Sequence, residues 1–251
     1  HHAMNRPPSR TTAAWMILPW FAMHGLASVG QSQDGAARKP NPAFAKTVDD
    51  PRLPRVLLIG DSISIGYTVP VREALKGKAN VHRAPVNCGP TIRGLEQLDD
   101  WLAGEKWDVI HFNWGLWDLC YRDPPGSNRK GKTNGKITFT PDQYGRNLEK
   151  LILRLEKTGA KLIWASITHV PEGEPGRKVG DDIRYNEIAK KLMKKHRIPI
   201  NDLHAASSQF PAGLFRAPGD VHFKTEGRKK LAKLVTDRIE QALSEKPASD
   251  P

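Results

Sequence analysis

Ser62 stands at a Gly-Asp-Ser corner directly behind the apolar run Val56-Leu57-Leu58-Ile59. A serine hydroxyl is a poor nucleophile at neutral pH, so chemistry here requires a base to take its proton and donors to hold an oxyanion. The chain offers candidates for each role. His222 supplies an imidazole in the stretch Gly219-Asp220-Val221-His222, and Asp220 a carboxylate two residues earlier. Asn87, Cys88 and Gly89 mark a second turn, Asn113 and Gly115 to Asp118 a third, and His169 a fourth. Hydroxyl, imidazole, carboxylate and turn amides together are the groups that acyl transfer uses. Asp61 reads as a brace for its own turn, accepting backbone hydrogen bonds.

These residues need a scaffold that brings them to one edge. Apolar runs and periodicities predict strands over 56–59, 80–86, 107–114, 161–167 and 199–203. Helical patterns fall between them, over 71–76, 92–102, 141–158, 181–195 and 225–243. Thr140 before Pro141 is a good helix cap. The stretch 122–136 is dense in Gly, Pro, Asn and charge and reads as a long loop. Alternating strands and helices imply a parallel sheet covered by helices on both faces. In such sheets the working residues lie beyond the carboxyl ends of the strands. Ser62, Asn87, Gly89, Trp117 and His169 all fall there, and Asp220 and His222 precede the last helix.

The ordered set resembles the SGNH (GDSL-like) hydrolases over about residues 54–243. Gly60-Asp61-Ser62 matches the first block of that family, and Gly89 the glycine after the second strand. Gly115-Leu116-Trp117-Asp118 stands at the third block, Gly-x-Asn-Asp, and Gly219 to His222 at the final Asp-x-x-His. The resemblance implies a three-layer α/β/α fold with a five-stranded parallel sheet in flavodoxin-like order. It implies Ser62 as nucleophile, His222 as base and Asp220 as acid, with the Ser62 and Gly89 amides holding the oxyanion. Two positions depart from the pattern. Trp117 replaces the asparagine whose side chain donates to the oxyanion, so the indole N–H, Asn87 or Asn113 must substitute or the hole is poorer. The acid stands two residues before the histidine, and Gly219 occupies the usual place three before.

Composition narrows the setting. With 39 Lys+Arg against 27 Asp+Glu the net charge is +12, and the mean hydropathy is −0.54. The lysines scatter over predicted helix faces without a zinc-finger, RNA-binding or basic-zipper pattern, which argues against nucleic acid and for a solvated surface tolerant of anionic substrates. From Met4, two arginines, an apolar stretch and small residues follow in the order of a secretory signal, expected over residues 1–30. His1 to Ala3 read as a start-site artefact or vector scar. Residues 31–53 read as a linker or arm, and 54–246 as the SGNH hydrolase-like domain. In an exported protein a disulfide between Cys88 and Cys120 is expected. No metal-ligand spacing is present, and no cofactor is expected. The resulting expectation is an exported (periplasmic or secreted) serine esterase that removes a short acyl group, such as acetyl, from a small or polysaccharide ester, without stable membrane insertion once the signal is cleaved. Trp117 and His169 are candidate substrate contacts. A catalytically impaired carbohydrate-binding relative of the fold, or a lipase or thioesterase, is the alternative. Oligomeric state is not legible.

Overall fold

A computed structural model describes residues 39–245, so the expected signal segment lies outside the described residues. Its elements run in chain order as β1 (Arg55–Ile59), α1 (Ser62–Ala74), β2 (Asn80–Arg83), α2 (Thr91–Leu102), β3 (Val109–Phe112), β4 (Tyr121–Arg122) and β5 (Lys136–Ile137). They continue with α3 (Pro141–Glu156), β6 (Lys161–Ala165), α4 (Asp181–Lys195), β7 (Ile200–Asn201), α5 (Leu203–Ser207) and α6 (Thr225–Ser244). Five strands form one parallel sheet in the order β2-β1-β3-β6-β7, the flavodoxin-like arrangement. Helices α1 and α6 pack together, and α3 packs on both α2 and α4. The central strands are almost continuously apolar because helices cover both faces: Val56 to Ile59, Val109, Ile110, Phe112 and Ile163 to Ala165 are all buried.

Local chemistry explains most boundaries. Thr140 and Gln143 form a reciprocal capping box at α3, with Pro141 at the first helical position. Helix α4 carries Asp181 and Asp182 in its first turn and Lys194 and Lys195 in its last, each complementing the helix dipole. The first helix is the main correction. It begins at Ser62 itself and spans 13 residues, where the sequence pattern suggested only 71–76. Gly66 and Pro70 look like breaks, yet Pro70 is accommodated inside α1. The expected loop 122–136 overlaps a small antiparallel pair, β4 with β5. The described part of the expected arm, from Lys39, is docked. Thr47 donates to the Val81 carbonyl at 2.7 Å, and Arg72 to the Ala43 carbonyl at 3.0 Å. Among the described residues no helix is long and apolar enough to cross a membrane.

Candidate active site

Strand β1 delivers the chain to Gly60, where a side chain has no room: an added Cβ would lie 2.6 Å from Cβ of Ser64. Asp61 then caps α1 by accepting from the Ile63 N–H at 2.9 Å, as a turn brace should. Its second oxygen is buried without a partner among the described residues, and burial raises its pKa. Ser62 is therefore the first residue of a helix, with its hydroxyl at the carboxyl edge of the sheet. At that position its N–H has no intrahelical acceptor and points with the helix dipole toward any developing negative charge.

Arg83, on β2, fixes this corner from behind. Its guanidinium donates to the carbonyls of Ala84 (3.0 Å), Gly60 (3.2 Å) and Val86 (3.1 Å) and to the hydroxyls of Ser64 (3.2 Å) and Thr68 (3.0 Å). All five donors of the side chain are thus used. A buried cation without a carboxylate partner is costly, and burial lowers its pKa, but the arrangement ties the Ser62 turn to the loop carrying Asn87 and Gly89.

His222 arrives from 160 residues away. Ser62 Oγ lies 2.8 Å from His222 Nε2, and His222 Nδ1 lies 2.6 Å from Asp220 Oδ1. Asp220 also accepts the His222 N–H at 2.9 Å and the Arg216 Nε–H at 2.7 Å. Burial alone would raise the carboxyl pKa, but the His222 amide and ring and Arg216 outweigh it and hold it at about 2. An ionised carboxylate only accepts, so Nδ1 carries the proton it receives and Nε2 is left to accept from Ser62. The irregular spacing of the acid has a local cause. Gly219 is left-handed at φ 69°, and a Cβ there would lie 2.7 Å from the Gly173 carbonyl oxygen. No carboxylate fits at that position, and the tight turn folds Asp220 back under the imidazole instead.

The opposite flank differs. The Gly89 N–H donates to Asn87 Oδ1 at 3.0 Å, so this expected oxyanion donor is already engaged. Asn113 does not face the site as a donor: its amide bonds the Ala165 carbonyl at 2.7 Å, joining the ends of β3 and β6. Trp117 is half-buried with the Arg122 guanidinium 4.4 Å above its ring. The turn bearing it is pinned on both sides. Arg177 donates to the Leu116 carbonyl at 2.7 Å and pairs with buried Glu174 at 2.9 Å. Asp118 accepts the Thr91 N–H at 3.1 Å and its hydroxyl at 2.5 Å, capping α2 from a distant loop. Burial pushes the Asp118 carboxyl up to about 7, against the pull of the Thr91 bonds. Asp118 thus fastens the second corner to the third.

Two further expectations change. Cys88 and Cys120 are free thiols, each fully buried, and they donate weakly to the carbonyls of Val86 at 3.9 Å and Tyr121 at 3.5 Å. The disulfide is not formed. Burial pushes the Cys88 thiol up to about 12. His169 is not hydrogen-bonded to the serine or its base; it stands beside Asp182 and His204. Sequence reasoning missed Arg83, Arg177 and Arg216, which carry no motif and reveal themselves only through their partners.

No family model and no curated protein matches the chain by sequence. Solved structures do. A lipase/acylhydrolase from Enterococcus faecalis superposes with a TM-score of 0.63 at 23% identity, covering 78% of this chain and 100% of that one. The acetyl xylan esterase AlAXEase gives 0.60 at 17% identity, covering 74% and 99%. A GDSL-like lipase from Bacteroides thetaiotaomicron gives 0.57 at 16%, covering 80% and 94%. The chain has the three-layer α/β/α fold of the SGNH (GDSL-like) hydrolases.

Proposed function

We propose that the protein is a serine esterase of the SGNH type, acting on a short acyl group, most simply acetyl, carried by a carbohydrate. The observation that carries this reading is the unbroken chain of hydrogen bonds from Ser62 through His222 to Asp220. Ser62 Oγ attacks the ester carbonyl while its proton passes to His222 Nε2. Asp220 stabilises the resulting imidazolium through Nδ1. The proton then goes to the leaving alkoxide, giving an acyl-Ser62 ester and free alcohol. A water, deprotonated by the same imidazole, attacks that ester and releases the acid. The Ser62 N–H, first in its helix, is the donor nearest to hand for the oxyanion, and Gly89 joins it when Asn87 lets go.

The acetyl xylan esterase among the structural neighbours, the basic surface and the signal-like N-terminus support an exported enzyme with a sugar ester as substrate. Hydrolysis of p-nitrophenyl acetate against p-nitrophenyl palmitate, with wild type and Ser62→Ala, tests the reading. We expect turnover of the acetate alone and a fall of at least about 10⁴-fold in the variant. Unchanged turnover in Ser62→Ala sinks it. The engaged Gly89 and the tryptophan at position 117 favour one second reading, a carbohydrate-binding relative without turnover. Binding of an acetylated oligosaccharide that is recovered intact would select it.

A further inference from the structure

On the same sheet edge, apart from the serine and its base, three side chains from different elements converge. Asp182, in the first turn of α4, is 1% exposed. Its Oδ2 lies 2.8 Å from His204 Nε2 and 3.5 Å from His169 Nδ1. The three donor atoms all fall within 4.8 Å of one another. The rings meet at 72°, so they direct edges toward the carboxylate and do not stack. From these positions we infer that His169, Asp182 and His204 form a binding site for a divalent transition metal of the zinc class.

The scaffold around the trio is fixed independently of any ion. Asp182 accepts the Val170 N–H at 3.0 Å and the Gly180 N–H at 3.1 Å, which orient both oxygens. The His169 N–H is held by Ser207 Oγ at 2.9 Å, and the His204 N–H by Ser166 Oγ at 2.8 Å. Ser166 in turn donates to Asp202 at 2.9 Å. Hydrogen bonding accounts for His204 but not for His169, whose ring nitrogen sits at the outer limit of such a bond.

Zinc with nitrogen ligands at about 2.0–2.1 Å and a carboxylate at about 2.0–2.2 Å places ligand atoms roughly 3.3–3.5 Å apart in a tetrahedron. His169 already satisfies this spacing with Asp182. His204 must withdraw by about half an ångström, passing the proton on Nε2 to solvent while Nδ1 keeps or gains one. Two imidazoles and one carboxylate suit zinc, nickel, cobalt or copper; calcium and magnesium prefer oxygen shells. Both imidazoles are partly solvent-exposed, His169 by 31% and His204 by 18%, which leaves a side open for a water as fourth ligand. The His169 ring also lies 6.4 Å from that of Phe215, which bridges to Phe223 next to the base. A bound ion therefore braces the loop after β6 against α4 and α5, beneath the corner that carries His222. It has no part in the acyl chemistry.

Calorimetric titration of chelator-stripped full chain with Zn²⁺ tests the site, using wild type and a His169→Ala/His204→Ala double variant, which leaves the bonds of Asp182 to the Val170 and Gly180 N–H groups intact. One equivalent should bind tightly at micromolar protein. Each single histidine variant should weaken it by more than the roughly 10–100-fold typical of losing an outer partner, and the double variant should lose it. Cobalt substitution should give the visible bands of a low-symmetry site in wild type only. Absence of stoichiometric binding, or binding and bands retained in the double variant, overturns the proposal. Circular dichroism confirms that the variants fold.

Discussion

On one side of the Ser62 hydroxyl, hydrogen bonds run without a gap through His222 to Asp220 and on to Arg216. On the other side, two of the groups from which an oxyanion hole was expected are engaged, Gly89 with Asn87 and Asn113 with Ala165, while Trp117 meets Arg122 through its ring face, a contact that leaves the indole N–H uncommitted. The Ser62–His222–Asp220 path is assembled in the free protein, while of the two backbone donors expected opposite it, Ser62 and Gly89, the Gly89 N–H is already engaged. Charge stabilisation is usually the larger contribution to acyl transfer. In the proposed esterase, the Asn87–Gly89 loop and the turn around Trp117 would therefore control the rate, and the Ser62–His222–Asp220 chain would be the conservative half.

Each half can be broken separately. The largest loss after Ser62→Ala is expected from Asp220→Asn, which holds the wrong tautomer of His222 and should lower kcat by about 10³–10⁴-fold with KM little changed. Near-normal turnover would show that His222 works without its acid. In the opposite direction, Trp117→Asn restores a side-chain amide at the third corner and should raise kcat by up to about 10²-fold. A fall in kcat would instead identify the indole N–H as a donor in its own right. Arg83→Lys tests the strut between the halves. A lysine cannot serve five acceptors, so we expect a loss of about 2–4 kcal/mol, read as a drop of roughly 5–10 °C in the thermal midpoint. An unchanged midpoint would remove Arg83 from the account.

The smallest effect is in pH. Asp220 has a folded pKa of about 2, below its ordinary 3.8. Its contribution to stability, about 2 kcal/mol, is therefore complete above pH 3.8 and lost as pH falls through 2. Denaturation midpoints of wild type and Asp220→Asn should converge across that window and stay parallel above it.

How much of this was legible follows from where the signals are local. Helix α4 was readable to its ends because its acidic start and basic finish lie within its own sequence. Strands with covered faces announced themselves as apolar runs. Helix α1 did not, since Gly66 and Pro70 imitate a break that the packing of Tyr67 and Val71 into the core overrides. Ser62, Asp220 and His222 were found from block order, but the fit of a shortened acid spacing depended on a left-handed Gly219, a conformation that no residue type fixes alone. Asn87 reads as a donor in sequence, whereas its Oδ1 accepts the Gly89 N–H, because neighbours decide which end of an amide is used. The His169–Asp182–His204 grouping joins residues from the loop after β6, from α4 and from α5, and has no spacing to read.

The two unbridged thiols have a practical corollary. Both cysteines are wholly enclosed while the molecule is intact, so a thiol-labelling reagent can reach them only when the surrounding strand ends part. Uptake of label at each cysteine then serves as a built-in clock for opening of the second and third corners, readable peptide by peptide. It needs no engineered probe and leaves Ser62 untouched.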